Sequence, residues 1–208
     1  MSSIDYGKAC RLLARRDPVI GELIRTHGSC GLATAQKADH FVALAQAVVS
    51  QQLSTRAAST IYGRMLDLLP ERRLTPDTLL SISPDLLRSA GLSRSKASYL
   101  ADLARAVQEA RVELDTLEAL DDEAVIVELT KVKGIGRWSA EMFLMFRLHR
   151  PDVLPVGDQG IVRAMQRAYR LRKAPTADRM RKIAEPWRPY RSVACWYLWA
   201  SLDNAPQP

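Results

Sequence analysis

Residues 129–161 read LTKVKGIGRWSAEMFLMFRLHRPDVLPVGDQGI. Apolar residues recur at helical spacing on both sides of Gly134-Ile135-Gly136, so the spacing predicts two helices joined by a tight glycine turn. Glycine is needed where a backbone takes a positive φ or where something must approach it closely. The N–H groups at the start of the second helix, together with its dipole, make an anion site. Lys133 and Arg137 flank the turn and add positive charge, and Ile135 is expected to plug it into the core. Such a site would grip a phosphate backbone and read no sequence. An ordinary glycine-terminated helix is the competing reading, and G-x-G alone does not separate the two. After the second helix comes a loop ending VGDQG. It holds Asp158 between Pro155, Gly157 and Gly160, with Asp152 and Asp203 as competing acids.

Working outward, Asp121-Asp122-Glu123 starts the first helix of the pair, with acids at its positive end. Residues 88–107, RSAGLSRSKASYLADLARAV, echo the turn: Ala90-Gly91-Leu92-Ser93-Arg94 and Ala97 fall in the order of Lys133-Gly134-Ile135-Gly136-Arg137 and Ala140. Upstream, Phe41, Leu44, Ala45, Val48 and Val49 share one helical face. Ser50-Gln51-Gln52-Leu53-Ser54 interrupts that face, and Ser54 or Thr55 can cap the helix that follows. Two adjacent glutamines between apolar helices are either solvated loop residues or donors to a ligand. Asp17-Pro18, Thr75-Pro76 and Ser83-Pro84 are further helix starts, a capping side chain followed by proline. Downstream, helices are expected over 161–171, after Pro175-Thr176-Ala177-Asp178, and over 192–202. No run alternates as a strand would. The expected fold is all-α with short connections.

The chain has 208 residues, 47% apolar and 25% charged, enough to bury a core in one large domain or two small lobes. No apolar run approaches the ~18 residues of a membrane span, and the N-terminus lacks a signal-peptide core, so a cytosolic location is expected. Cys10, Cys30 and Cys195 form neither a disulfide framework nor a C-x2-C box, and read as small buried residues. The net charge of +7 is unevenly spread. Residues 163–191 hold ten Lys/Arg and two acids, a net +8, leaving −1 for the remainder. That segment is either a phosphate-binding face or a solvated helical face.

Four blocks in order, FVALAQAVVSQQLSTRAA, GLSRSKASYLADLA, GIGRW with the following LPVGDQGI, and WRPYRSVACWYLW, resemble the helix–hairpin–helix-plus-aspartate superfamily of DNA glycosylases. Within it the chain is similar to the 3-methyladenine DNA glycosylase II branch, from about Phe41 to Trp199. The resemblance implies two helical lobes, residues 40–150 and residues 1–39 with 151–208, around a cleft. It also implies that the N-terminal β-rich domain of larger relatives is lacking.

It further implies that Asp158 is catalytic, placed to stabilise the positive charge that builds on the sugar as an N-glycosidic bond breaks and to orient water. Trp138 and Trp199 match pocket tryptophans that would face an extruded, cationic alkylated purine such as 3-methyladenine or 7-methylguanine. Met142 stands where relatives carry an aromatic ring. Trp138 also occupies the position of the lysine that makes some relatives lyases, so a monofunctional enzyme is expected. Gln52 or Leu53 would be the wedge that fills the hole left in the stack, and Gln51 would contact DNA beside it. Lys133, Gly134, Ile135, Gly136 and Arg137 form the hairpin contact to double-stranded DNA. The family's hairpin cation, Na+ or K+, would rest on the main-chain carbonyls of Thr130, Val132 and Gly134, although Lys133 replaces the proline common there. With one cysteine near the C-terminus, no iron–sulfur cluster is expected. The expected protein is a monomer that starts base excision repair, nucleoid-associated when on DNA. A non-catalytic DNA-binding module, or a glycosylase of different lesion range, is the alternative.

Overall fold

The computed structural model describes residues 4–34 and 39–202. Among these there are twelve α-helices, four 3-10 turns and no strand. The chain divides into two compact units, Met1–Gln36 with Leu144–Pro208, and Lys37–Phe143.

The continuous unit holds α3 (His40–Ser50), α4 (Thr55–Asp67), α5 (Pro76–Leu80), α6 (Pro84–Ser89), α7 (Arg94–Gln108), α8 (Asp122–Thr130) and most of α9 (Arg137–Phe146). Helix α7 is its hub, packed by α3, α5 and α6. Its Ala97, Leu100, Leu103 and Ala104 are buried on one face, the i, i+3, i+6, i+7 set of an amphipathic helix. The caps follow the sequence closely. Ser54 accepts from Ala57 N at 3.3 Å, Thr75 and Thr78 close a capping box ahead of Pro76, and Ser83 caps α6. The five apolar residues read between 41 and 49 are all buried.

The unit made from both ends of the chain holds α1 (Tyr6–Arg16), α2 (Pro18–His27), α10 (Gln159–Ala168), α11 (Ala177–Ala184) and α12 (Arg191–Ala200). Helix α12 is apolar nearly all round and is buried accordingly, touching α1, α2 and α10. Asp17 is the polar centre of this unit. One Oδ caps α2 through Val19 N at 2.9 Å and Ile20 N at 3.2 Å, and the other accepts from Trp187 Nε1 at 2.8 Å and from the Tyr169 hydroxyl. Burial and the Asp17 carboxylate both push the Tyr169 phenol far above its ordinary range. Trp187 is fully buried. Cys30 and Cys195 are buried thiols, Cys30 pushed up to about 12 chiefly by burial. Gly31 is pressed against the Trp196 indole, where a Cβ would come within 2.8 Å of the ring.

The change-over at 143/144, earlier than the 150/151 read from sequence, has a local cause. Arg150 N donates to Leu144 O at 2.8 Å, Ser192 Oγ donates to Arg150 O at 2.7 Å, and Phe146 stacks on Trp199. Residues 144–150 are thus bound to α12.

Candidate nucleic-acid interface and catalytic aspartate

The hairpin lies between α8 and α9. Val132 N donates to Leu129 O and Ile135 N to Val132 O, closing two successive tight turns. Gly134 has φ +88, and a Cβ there would lie 2.2 Å from the Tyr99 ring, so conformation and space both demand glycine. Gly136 differs: nothing stands within 4 Å of its would-be Cβ, and its φ is not positive. Its carbonyl accepts from Ala140 N, making it the residue from which α9 starts. No internal contact requires glycine there, and an external backbone coming close would. Ile135 is buried, as read.

Around the turn the polar partners are specific. Lys133 N donates to Asp102 Oδ2 at 2.8 Å. Burial would raise the Asp102 carboxyl, but the Lys133 amide and the Arg111 guanidinium outweigh it and hold the group below the ordinary aspartate range. The Lys133 side chain is exposed. Arg137, read as a phosphate ligand, is bidentate to Glu123 of α8 at 3.0 and 2.7 Å. Its hydrogen bonds hold the Glu123 carboxyl below its usual range. Both side chains are more than half exposed, so this pair is worth about 0–1 kcal/mol and can be exchanged for a phosphate.

The Ser50–Ser54 loop separates its two glutamines. Gln51, read as a DNA contact, turns inward and donates Nε2 to Gly134 O at 2.9 Å. Gln52 takes φ +57 at the loop tip and is exposed. Leu53 is one of few large apolar side chains left in solvent, at 38%. Trp138 is another, at 46%, on the first turn of α9, with half-buried Met142 one turn further on the same face.

Asp158 is the N-cap of α10. Its Oδ1 accepts from Ile161 N at 2.7 Å and from Trp199 Nε1 at 3.0 Å, and the residue is only 9% exposed. Trp199, read as a pocket wall, is 4% exposed, with its ring stacked on Phe146. It orients the carboxylate by a hydrogen bond. Gly160 makes this possible: a Cβ there would stand 2.9 Å from Asp158 Oδ1 and 3.1 Å from the Trp199 ring. The competing Asp152 is held by Arg188 and by Arg191, whose Nε and Nη2 both reach it. Asp203 lies outside the described residues. Lys96 and Asp102, which tie loop and hairpin to α7, were not singled out in the sequence. Their partners are main-chain atoms 31 to 47 residues away, which no local pattern signals.

Among the described residues no group of three or more His, Cys, Asp or Glu side chains could hold a metal ion, and no helix is long and apolar enough to cross a membrane.

A glycine hairpin followed by a buried, capped aspartate defines a class. Residues 45–189 match the model of the HhH-GPD superfamily base excision DNA repair proteins, and the chain belongs to that family. Among its relatives, DNA-3-methyladenine glycosylase 1 of Schizosaccharomyces pombe is 35% identical over 172 residues, 82% of this chain and 75% of that protein. The solved structure of Schizosaccharomyces pombe 3-methyladenine DNA glycosylase in complex with abasic DNA superposes with a TM-score of 0.81 at 31% identity, covering 94% of this chain and 97% of the other. A DNA-3-methyladenine glycosidase from Bacillus halodurans does so at 0.79 and 35%, covering 96% and 91%.

Proposed function

We propose that the chain is a monofunctional DNA glycosylase that removes alkylated purines from double-stranded DNA and so opens base excision repair. The observation that carries this is Asp158: a buried carboxylate fixed by a helix N-terminus and an indole N–H. Buried carboxylates are costly unless held by such donors. Placed beside C1′, the carboxylate stabilises the oxocarbenium-like sugar and orients the attacking water. Leu53, apolar and exposed beside the strained Gln52, fills the stack. Trp138 and Met142 offer an exposed aromatic and a polarisable side chain to a cationic base. Gly136 and the first turn of α9, with Lys133, hold the phosphate backbone. Trp138 in the place of a lyase lysine leaves no amine to attack C1′ there, so the product is an intact strand with an abasic site.

A monovalent cation at the hairpin belongs to the same reading. The carbonyls of Thr130, Val132 and Gly134 are neutral oxygen donors from one turn. Val132 O and Gly134 O each accept one hydrogen bond, from Ile135 N and Gln51 Nε2, which leaves each a lone pair for an ion. The protein acts wherever its DNA is housed.

The test is Asp158→Asn. Asparagine caps a helix as well as aspartate does, so fold and duplex binding are retained. Release of 3-methyladenine from methylated DNA falls by at least about 100-fold. Undiminished release by this variant, or a borohydride-trapped adduct with the wild type, sinks the assignment. A purely DNA-binding module is the second reading, favoured by the one fact that capping alone accounts for an aspartate at 158. The absence of any excision by wild-type protein would select it.

A further inference from the structure

The stretch 88–107, which echoes the hairpin in sequence, has a different use. We infer that α7 is a brace that fixes the exposed Leu53 loop relative to the phosphate-binding hairpin, with Lys96, Gln51 and Asp102 as positioning residues. Lys96, Tyr99 and Asp102 are spaced i, i+3, i+6, and so follow one another along one side of α7.

Lys96 Nζ donates to Val49 O at 2.7 Å and to Gln51 O at 2.6 Å. Val49 O belongs to the last turn of α3, whose carbonyls have no partner within the helix and lie at its negative end, and Gln51 is the residue that follows the helix. A lysine at this point both satisfies them and sets where the chain leaves the helix. Gln51 then reaches from that exit to the hairpin, Nε2 to Gly134 O. The Tyr99 ring covers the Gly134 Cα face, and Asp102 holds the Lys133 amide. The contacts close a ring: Lys96 to Gln51, Gln51 to Gly134, Lys133 to Asp102, and back along α7. Partial burial lowers the Lys96 ammonium from its ordinary value.

Two details give the ring a purpose. Its members are tied up, whereas the residues beside them are not buried: Leu53 two positions after Gln51, and Gly136 two after Gly134. A wedge and a phosphate grip act on one nucleotide only if their separation is constant, because misplacement of about 1 Å costs roughly 100-fold in rate. Gln51 is thereby a part of the frame and not a DNA contact.

This rests on the glycosylase reading for its consequence, and the test separates the two. Lys96→Met and Gln51→Leu are made in the full chain. Hydrogen–deuterium exchange of peptides covering 50–54 and 132–136 is expected to quicken at least tenfold in both variants, with peptides from α10 and α12 unchanged. Single-turnover excision from a fully paired duplex falls at least tenfold, and from a duplex with the lesion opposite an abasic gap less than threefold, since little stacking remains to be opened. Lys96→Arg, which keeps a donor, restores most of both. Unchanged exchange at 132–136 in Gln51→Leu overturns the brace, and so does an equal loss of excision on the two duplexes. If wild-type protein excises from neither duplex, the glycosylase reading fails, while exchange still decides whether the brace exists.

Discussion

Two glycines two residues apart carry opposite reasons for being glycine. Gly134 answers to the protein: positive φ and the Tyr99 ring. Gly136 has neither constraint, and its open surroundings are where the proposed phosphate grip would lie. Gly134→Ala is therefore expected to cost about 2 kcal/mol or more in stability, from the left-handed backbone and the clash together. Gly136→Ala leaves the melting temperature nearly unchanged and weakens duplex binding at least fivefold. Thermal melts and fluorescence anisotropy on the two variants check both halves. Asp17 shows the same logic without DNA. Removing it by Asp17→Ala strands the Tyr169 hydroxyl and the Trp187 N–H and uncaps α2, at a cost of about 2–4 kcal/mol, read by urea unfolding. Asp17 was legible as a cap because proline follows it. Its bonds to residues 152 and 170 positions away were not, since the fold alone brings them together.

Among the elements, the helix starts were the most legible part of the chain. Thr75, Ser83 and Asp17 each cap the helix that their following proline begins. Arg137 and Trp199 show where reading residue types stops. Arg137 beside the glycine turn reads as a phosphate ligand, and in the fold it rests on the exposed Glu123 one helix earlier, a pairing that the sequence did not signal. Trp199 matches a pocket tryptophan of the family, and in the fold it is buried and donates to the Asp158 carboxylate. The link between hairpin and α7 is pH-dependent. Asp102 is held below its ordinary range, so its tie to Lys133 is intact at and above the ordinary aspartate value and is lost as pH falls through the lower, folded-state value. In an NMR titration the Lys133 amide is expected to shift with a midpoint below that of a free aspartate, and Asp102→Asn removes the step.

At the scale of the molecule, charge is concentrated where the composition put it. Of the ten cations between 163 and 191, Arg181, Arg188 and Arg191 are paired with Asp178, Asp152 and Glu185. Arg163, Arg167, Arg170, Arg172, Lys173, Arg179 and Lys182 are exposed. Each one that neutralises a phosphate adds about 0.9 to the slope of log affinity against log salt. Replacing Arg163, Arg167 and Arg170 with Gln should flatten that slope by up to roughly 2.7 on any duplex, damaged or not. An unchanged slope would make the segment a solvated face.

The unit built from both chain ends has a consequence for biosynthesis. Helices α1 and α2 are made before the continuous unit, yet they bury their apolar sides against α12, which is made after it. All of the continuous unit is made between them. At ~5–20 residues per second, the opening segment waits on the order of ten to thirty seconds for its partner. During that interval Leu13 and Ile20, fully buried in the finished fold, are candidates for capture by a holding chaperone or by another nascent chain. Substitutions at Leu13 or Ile20 are therefore expected to lower the yield of folded protein although both lie remote in sequence from the hairpin and from Asp158.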